Sequence, residues 1–305
     1  MADQDEIDTS SGSKFPVWLS EGRPLCLSSM VTVDYDAISH VGKVRKNNED
    51  HYLVARLGRS LEPLLTNVPQ DAVPARLDEF GYGLLVADGM GGAAAGEVAS
   101  RMAVSLLINL IIDQAKWGRR IDEQEAKGLM ERMVRYYSQI HSTLIQHAEA
   151  NPHLSGMGTT LTVAYSFCSD LFVAHIGDSR AYLFREGNLH QLTRDHTLAQ
   201  ELADRGQIPP QAVARHKFRH ILTNVLGGSA GPLDTEIQHF RLSDSDRLLL
   251  CSDGLTDMVD DETIAGVLKK KEDSAGACRA LVDAALEAGG KDNVTVIVAR
   301  YRFSE

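Results

Sequence analysis

The sequence predicts an α+β fold in which antiparallel sheets carry helices on their outer sides. Short apolar strands follow one another closely, and this spacing favours antiparallel neighbours over a repeated βαβ unit. The predicted helices come in pairs between groups of strands. A hydrophobic content of 43% in 305 residues is ordinary for a globular protein and is ample for a core.

The first part of the chain is predicted to contain an extension, two strands and an insertion. Residues 1–29 are interpreted as an N-terminal extension that is partly disordered, because the first 13 residues are polar and acidic. The main domain is predicted to span residues 30–303. Val31 to Ser39 alternates in polarity and predicts a strand, and His51 to Arg56 predicts a second. Residues 57–79 carry three prolines and are long for a loop, which indicates an insertion between strands.

Two helices are predicted next. Between Ala93 and Ile112, apolar residues recur at steps of four from Val98 to Leu110, as they do on a helix face that packs against a core. A second helix is predicted to begin at about Asp122, whose carboxylate with that of Glu125 resembles a capping box.

The rest of the chain predicts closely spaced strands, short helices and one irregular segment. The strands are Thr159 to Phe167, Leu171 to Ile176, Ala181 to Arg185, Leu189 to Leu192, Ile237 to Leu242, Arg247 to Cys251 and Val294 to Tyr301. Short helices are predicted at Thr197 to Arg205, around Ile264 to Leu268 and around Cys278 to Leu286. Residues 206–220 are basic, contain prolines and lack a clear pattern, which indicates a mobile flap.

Charge and cysteine content exclude several classes of protein. The formal net charge is −11 with no Lys/Arg-rich run, which argues against nucleic acid and against an anionic membrane as main partners. The four cysteines are widely separated, so zinc binding and a disulfide framework are not expected. No signal peptide is expected in the acidic first residues, and the apolar stretch Val104 to Ile112 is too short to span a bilayer. We therefore expect a soluble cytoplasmic protein.

Four aspartates lie at the ends of apolar strands. Asp88 follows the run Tyr82 to Ala87 and is followed by glycines, and Asp253 has the same setting. Asp178 repeats the arrangement more loosely, while Asp292 precedes a strand. Carboxylate oxygens select magnesium, manganese or calcium rather than zinc or copper. A single Asp-Gly is most often a turn, but four such strand ends predict one shared metal site.

The loop between the first two strands carries a second polar group of residues. Arg45 offers a planar fork for a phosphate dianion. Glu49 and Asp50 are placed where they could hold metal-bound waters. Taken alone, this loop is interpreted more simply as a solvated charged loop.

Together these motifs are similar to those of a known family. In chain order they are Gly42 to Asp50, Asp88 to Gly92, Gly156 to Thr160, Gly177 to Arg180, Asp195 to Thr197, Leu222 to Gly227, Ser252 to Leu255, and Asp292-Asn293. The ordered set resembles the metal-dependent type 2C protein serine/threonine phosphatases, the PPM family, and the asparagine-containing Arg45 motif resembles the bacterial branch. The resemblance covers about Val31 to Tyr301.

The resemblance implies a central antiparallel β-sandwich with two antiparallel helices against each outer face. It implies two Mn²⁺ or Mg²⁺ ions, with a weaker third. The implied ligands are Asp88 as bridge, the carbonyl of Gly89, Asp253 and Asp292, with Glu49 and Asp50 acting through waters and Asp178 at the third ion. Arg45 would bind the substrate phosphate, and residues 206–220 would form the substrate flap.

The activity implied is hydrolysis of phosphoserine and phosphothreonine in signalling proteins by direct attack of a metal-activated water. The substrates would be proteins phosphorylated by a serine/threonine kinase. Eukaryotic members often carry a histidine after the Asp-Gly, whereas this chain has Met90, which cannot donate a proton. The general acid is therefore left open, and His196 is more simply a structural hydrogen-bonding residue.

Other phosphatase classes fit less well. A cysteine-dependent phosphatase needs an arginine six residues after a cysteine, and none of the four cysteines has one. The stretch Val33 to Ala37 superficially resembles aspartyl-nucleophile phosphatases, but its strand alternates in polarity. A non-catalytic relative that binds phosphoproteins or acts as a scaffold is the remaining alternative, and the intact set of arginine and aspartates argues against it.

Overall fold

A computed structural model describes residues 28–62, 64–65, 77–91, 95–114, 123–228, 231 and 233–304. The strands are β1 (Val31–His40), β2 (Asp50–Leu61), β3 (Leu77–Met90), β4 (Gly158–Thr159), β5 (Leu161–Phe167), β6 (Asp170–Ile176), β7 (Arg180–Arg185), β8 (Asn188–Gln191), β9 (Leu226–Gly227), β10 (Glu236–Arg241), β11 (Arg247–Cys251) and β12 (Val294–Phe303). The α-helices are α1 (Ala95–Gln114), α2 (Glu123–Ala150), α3 (Leu198–Asp204), α4 (Asp253–Thr256), α5 (Asp261–Lys270) and α6 (Ser274–Glu287).

The strands form two sheets. One has the order β1-β12-β11-β7-β8, and the other has the order β10-β6-β5-β3-β4-β9, with β2 pairing with β3. The strand pairings are antiparallel, as the closely spaced strands predict. The predicted antiparallel α+β architecture is therefore confirmed.

Alternation along β3 explains how the layers form. Leu84 and Val86 lie in the apolar layer between the two sheets, whereas Leu85 and Ala87 pack with residues of α1 and α2. Successive residues of a strand point to opposite faces, so a strand that is apolar at every position is buried on both sides. The uninterrupted apolar run of β3 thus places it between the helices and the second sheet.

The five-stranded sheet is covered in the same way. Ile297 and Ala299 of β12 face the layer between the sheets, while Val296 and Val298 pack with Leu281 and other residues of α5 and α6. The order of layers is therefore helix, sheet, sheet, helix. This is the sandwich with helix pairs on each outer face that the family resemblance implies.

Helix α1 is unusually apolar. By length and composition alone, residues 95–113 could cross a membrane. In the fold, Ala99, Ala103 and Leu107 are buried against β3 and its neighbours. These contacts are those of a helix packed on a sheet. The predicted stripe, Val98, Met102, Leu106 and Leu110, is partly buried and packs against the same core.

The hairpin β2–β3 is longer than the sequence indicates. Its pairing continues to Leu61 opposite Leu77, so residues 57–61 and 77–79 of the predicted insertion belong to strands. Residues 63 and 66–76 lie outside the described residues, as do residues 1–27 of the predicted extension. Strand β2 extends to Leu61 because its backbone forms hydrogen bonds with β3. The residue pattern of β2 alone does not show this extension.

Residues 206–220, the predicted flap, follow α3. Thr197 caps α3 by accepting a hydrogen bond from the backbone N–H of Gln200. The segment contains a 3-10 turn at Pro210–Arg215, and all of its side chains are exposed or only partly buried. Its mobility stays a prediction.

Candidate metal centre

The fold brings all the predicted acidic residues to one end of the sandwich. Asp50, the first residue of β2, lies directly opposite Asp88 near the end of β3. The pKa of Asp88 is raised well above its usual value, first by burial and then by the charges of four nearby carboxylates. These carboxylates belong to Asp50, Asp253, Asp178 and Asp292. The strand-end aspartates therefore lie together in one cluster, and their role as metal ligands stays a prediction.

The backbone around Asp88 is fixed on both sides. Its N–H donates to the hydroxyl of Thr160 at 2.9 Å, and its carbonyl accepts from the backbone N–H of Thr160 at 2.9 Å and from the hydroxyl of Thr159 at 2.8 Å. Thr160 Oγ1 is also hydrogen-bonded to Ser179 Oγ at 2.8 Å. Asp88 is thereby tied to the loop that carries Asp178.

The backbone packing around Gly89 leaves no room for a side chain. A Cβ atom at this position would overlap the carbonyl of Gly96 and lie 2.8 Å from the carbonyl oxygen of Glu49. The N–H of Gly89 donates to that Glu49 carbonyl at 3.2 Å, and the Ser100 hydroxyl donates to it at 2.6 Å. The start of α1, the Asp-Gly turn and the loop before β2 are therefore in direct contact.

The hydrogen bonding of the Asp50 carboxylate indicates whether a cation would be favourable in the cluster. Its Oδ2 accepts hydrogen bonds from Ser252 and Thr295, both at 2.7 Å. Its Oδ1 is buried and has no hydrogen-bond partner among the described residues. Burial, with a contribution from Asp292, raises the pKa of Asp50 to about 6. An unpartnered carboxylate oxygen in an acidic cluster is costly unless a cation compensates it, so these residues fit a hard divalent ion.

Asp253 and Asp178 lie on the other side of the cluster. Burial raises the pKa of Asp178 to about 7, helped by the charges of Asp195 and Asp257 and opposed by Arg180. Burial, followed by Asp178 and Asp257, raises the pKa of Asp253 well above its usual value. Carboxylates placed this closely cannot all ionise without a positive charge among them, and their oxygen-only donor set suits Mn²⁺ or Mg²⁺.

Asp257 and His220, which are not among the predicted site residues, also lie at the cluster. Ligand atoms of His220, Asp253 and Asp257 all lie within 4.8 Å of one another. His220 Nδ1 lies 3.4 Å from Asp257 Oδ2, and Arg219 Nε lies 3.8 Å from Asp257 Oδ1. The end of the predicted flap therefore contacts the acidic cluster. A signal for Asp257 exists in the sequence, because it follows Asp253 by four residues and shares its helical face.

Arg45 lies at the rim of the cluster. Its Nη2 is 2.6 Å from Asp292 Oδ2, and its side chain is 55% exposed. The predicted phosphate-binding residue and a predicted metal ligand therefore form an ion pair with each other. The exposed guanidinium can still be reached by a phosphate from solvent.

Asn293 holds the Arg45 loop in place, a role that the sequence analysis did not assign. Its Nδ2 donates to the carbonyls of Val41 and Asn47, and its Oδ1 accepts from the N–H of Glu49, each at 2.9 Å. Asn293 is 5% exposed, so water cannot replace these bonds. One buried amide thus fixes both ends of the loop.

Replacement Asn293→Ala is expected to destabilise the protein by about 3 kcal/mol, because three buried hydrogen bonds are lost and their partners stay unpaired. Urea unfolding measures this change. Asn188→Ala, at the exposed first residue of β8, is the matched control and should change stability little. A difference of less than about 0.5 kcal/mol between the two variants would contradict this role for Asn293.

His196 and Met90 bear on the open question of the general acid. The His196 backbone N–H donates to the carbonyl of Gly177 at 2.7 Å, and His196 Nδ1 accepts from the N–H of Gly177 at 3.1 Å. His196 is 7% exposed, and burial lowers its pKa. These contacts fit the structural interpretation, in which His196 positions the loop before Asp178. Met90 is 37% exposed and has no proton to donate.

Comparisons with known proteins give one consistent family. The sequence model of the family described as "Protein phosphatase 2C" matches residues 67–288. The serine/threonine protein phosphatase PstP of Mycobacterium tuberculosis is 39% identical over 267 residues, which are 87% of this chain and 44% of PstP. The serine/threonine phosphatase stp of Listeria monocytogenes is 37% identical over 216 residues, which are 70% of this chain and 82% of that protein. This chain thus spans less than half the length of PstP.

Solved structures agree with these relatives. The crystal structure of M. tuberculosis PstP/Ppp superposes with a TM-score of 0.71 at 35% identity, covering 88% of this chain and 98% of that one. The catalytic domain of PstP in complex with two manganese ions gives a TM-score of 0.69 at 34% identity, covering 89% and 99%.

Proposed function

Because this chain belongs to the protein phosphatase 2C family, we propose that it hydrolyses phosphoserine and phosphothreonine in phosphorylated proteins, using Mn²⁺ or Mg²⁺. The observation that carries this proposal is the convergence of Asp88 with the carboxylates of Asp50, Asp178, Asp253 and Asp292. Divalent ions bound by the acidic cluster would reverse its local charge, and together with the exposed Arg45 at its rim they would attract a phosphate dianion.

The residues fit two divalent ions and a weaker third. Asp88, the carbonyl of Gly89, Asp253 and Asp292 would hold the pair, with Glu49 and Asp50 acting through waters, and Asp178 would hold the third. When bound, such ions lower the pKa of water and neutralise phosphate charge.

Side chains of this protein would hold the phosphate and the acidic residues in position. Arg45 orients the phosphate with its planar fork. Thr160 fixes the backbone of Asp88, and Asn293 fixes the loop that carries Arg45 and Glu49. These rigid contacts keep the acidic residues and the phosphate-binding group at constant distances.

We further infer a cytoplasmic location, substrates phosphorylated by a serine/threonine kinase, and neither nucleic acid nor membrane as a main partner. A net charge of −11 supports the exclusion of polyanions. Cys251 and Cys278 are free and buried, which supports a reducing compartment.

The decisive experiment measures phosphate release from phosphoserine and phosphothreonine peptides with Mn²⁺, with Mg²⁺ and with EDTA. We expect turnover only with added metal and no phosphate covalently attached to the protein. Turnover that persists in EDTA, or a covalent phosphoenzyme, would overturn the proposal. A non-catalytic phosphoprotein-binding relative would bind the peptide and release no phosphate.

The substitution Arg45→Ala is expected to raise KM by roughly tenfold or more, because charge-assisted hydrogen bonds to the phosphate are lost. Manganese affinity should stay near wild type or increase, since Asp292 loses its ion-pair partner. Peptide kinetics and calorimetry measure the two effects. Lys46→Ala, at the adjacent exposed position, is the control. Loss of manganese binding in Arg45→Ala would show that the assignment to phosphate is wrong.

A further inference from the structure

A cavity of about 290 Å³ lies between the α1–α2 helix pair and the seven-stranded sheet. Its wall is almost entirely apolar and includes Leu53, Leu57, Leu107, Ile111 and Met133. Well-packed interiors contain few voids larger than one water molecule. A space of this size is therefore a candidate for a bound ligand.

Gly83 forms part of the floor of this cavity. It lies on the helix-facing side of β3, in the same alternation as Leu85. A Cβ atom built at Gly83 would meet only the Leu57 Cδ1 atom, at 3.7 Å, so the space above it is open. Gly83 precedes Asp88 by five residues, which is roughly 17 Å along a strand, so the cavity is separate from the metal centre.

Four side chains with polar groups line the cavity, namely Arg132, Tyr136, Tyr137 and Tyr165. The Tyr137 hydroxyl already donates to the carbonyls of Leu161 and Ala174, at 3.2 and 2.9 Å. Arg132 and Tyr136 lie one turn apart on α2, and Tyr165 on β5 is paired with Gly83. Burial raises the pKa of Tyr136, and raises that of Tyr165 to about 12, while the charge of Arg132 opposes both shifts. The guanidinium and both phenols line the same cavity. Among the described residues, none forms an ion pair or hydrogen bond with Arg132.

The composition of the wall defines the chemistry of its ligand. A half-buried arginine that has no ion-pair partner in the described part of the chain favours an anion, and two phenols in the same cavity can donate hydrogen bonds to that anion. The remaining wall is aliphatic, so the rest of the ligand must be apolar. The protein carries a net charge of −11, and a local positive group is therefore needed for an anion to bind.

We propose that this cavity binds a single-chain fatty carboxylate, with its tail between α1 and the sheet and its carboxylate at Arg132, Tyr136 and Tyr165. The site is separate from the phosphatase centre, so it does not depend on the proposed function. Dodecanoate, at concentrations below those at which it forms micelles, is a suitable probe.

The experiment is calorimetric titration of the whole chain with dodecanoate and with dodecanol. We expect one dodecanoate per chain and at least tenfold weaker binding of the alcohol, which lacks the charge. Gly83→Val should abolish binding, because it fills the cavity floor. Valine suits a strand, so this variant should melt at or above the wild-type temperature, which shows that it is folded.

Arg132→Gln removes the charge and should weaken dodecanoate binding about tenfold or more. Lys127→Gln, at an exposed position on the same helix, is the matched control and should bind as wild type does. Absence of dodecanoate binding to the wild type would overturn the proposal. So would unchanged binding in a folded Gly83→Val, equal binding of acid and alcohol, or equal effects of Arg132→Gln and Lys127→Gln.

Discussion

The substitution Asp88→Asn is expected to lower kcat/KM by at least about a thousandfold, because metal ions supply several kcal/mol of charge stabilisation to phosphoryl transfer. Asp88 faces four other carboxylates, so no other residue of the cluster can take its central place. Its backbone hydrogen bonds to Thr159 and Thr160 do not involve the side chain and should survive. Activity should therefore be lost without loss of fold.

The same substitution is expected to raise the melting temperature of the metal-free protein. The folded state raises the pKa of Asp88 through burial and repulsion, which means that its ionised form destabilises the fold near neutral pH. A neutral asparagine removes this repulsion. Manganese, which should stabilise the wild type strongly, should stabilise the variant much less.

Peptide turnover and melting curves with EDTA or Mn²⁺ test both effects on one preparation. Asp283→Asn, on the exposed surface of α6, makes the same change of charge and should alter neither property. Residual activity near wild type would refute the central role of Asp88. A lower melting temperature in EDTA would refute the repulsion.

A second large effect is expected in the pH dependence of stability without metal. The folded-state pKa is about 6 for Asp50 and about 7 for Asp178, against an ordinary value of 3.8. Between these values the folded state holds these two protons more tightly than the unfolded state does, so the contribution of Asp50 and Asp178 to the free energy of unfolding falls as pH rises from about 4 to about 7. Buried histidines with a lowered pKa, such as His175 at about 3, contribute in the opposite direction, so the carboxyl contribution is measured against the variant Asp50→Asn. For Asp50 alone the difference of about two pKa units corresponds to roughly 3 kcal/mol.

Manganese should oppose this loss. Ions bind the ionised carboxylates, so their affinity rises over the same pH window in which the metal-free fold weakens. At a hundred times the dissociation constant, a bound ion adds about 2.7 kcal/mol. Urea unfolding between pH 4.5 and 7.5, with EDTA and with Mn²⁺, measures both trends. The difference in stability between wild type and Asp50→Asn in EDTA should change with pH over this range, and a difference that stays constant would contradict the raised pKa of Asp50.

Much of the fold can be predicted from the sequence because strand and helix periodicities are local. The predicted strand Arg247 to Cys251 coincides with β11, and Thr197 to Arg205 differs from α3 by one residue at each end. Asp88 and Asp253 could be predicted as candidate ligands because each follows an apolar run and precedes glycine. Strand ends place side chains at the edge of a layer, and a local pattern reveals such positions.

Other features depend on residues far apart in the chain. The length of the β2–β3 hairpin depends on pairing between Leu61 and Leu77, across residues with no strand pattern. The hydrogen bonds between Asn293 and the Arg45 loop connect positions more than 240 residues apart. No periodicity links such positions, so only the folded chain shows that they touch.

The layered α+β class and the carboxylates at strand ends could be predicted from residue type and periodicity, because these fix local conformation and solvent preference. In contrast, three features follow only from the folded chain: among the described residues Asp50 keeps a buried oxygen without a partner, Arg45 pairs with Asp292, and a cavity opens above Gly83. Distances between separate elements follow from packing, in which each side chain fills the space that distant neighbours leave.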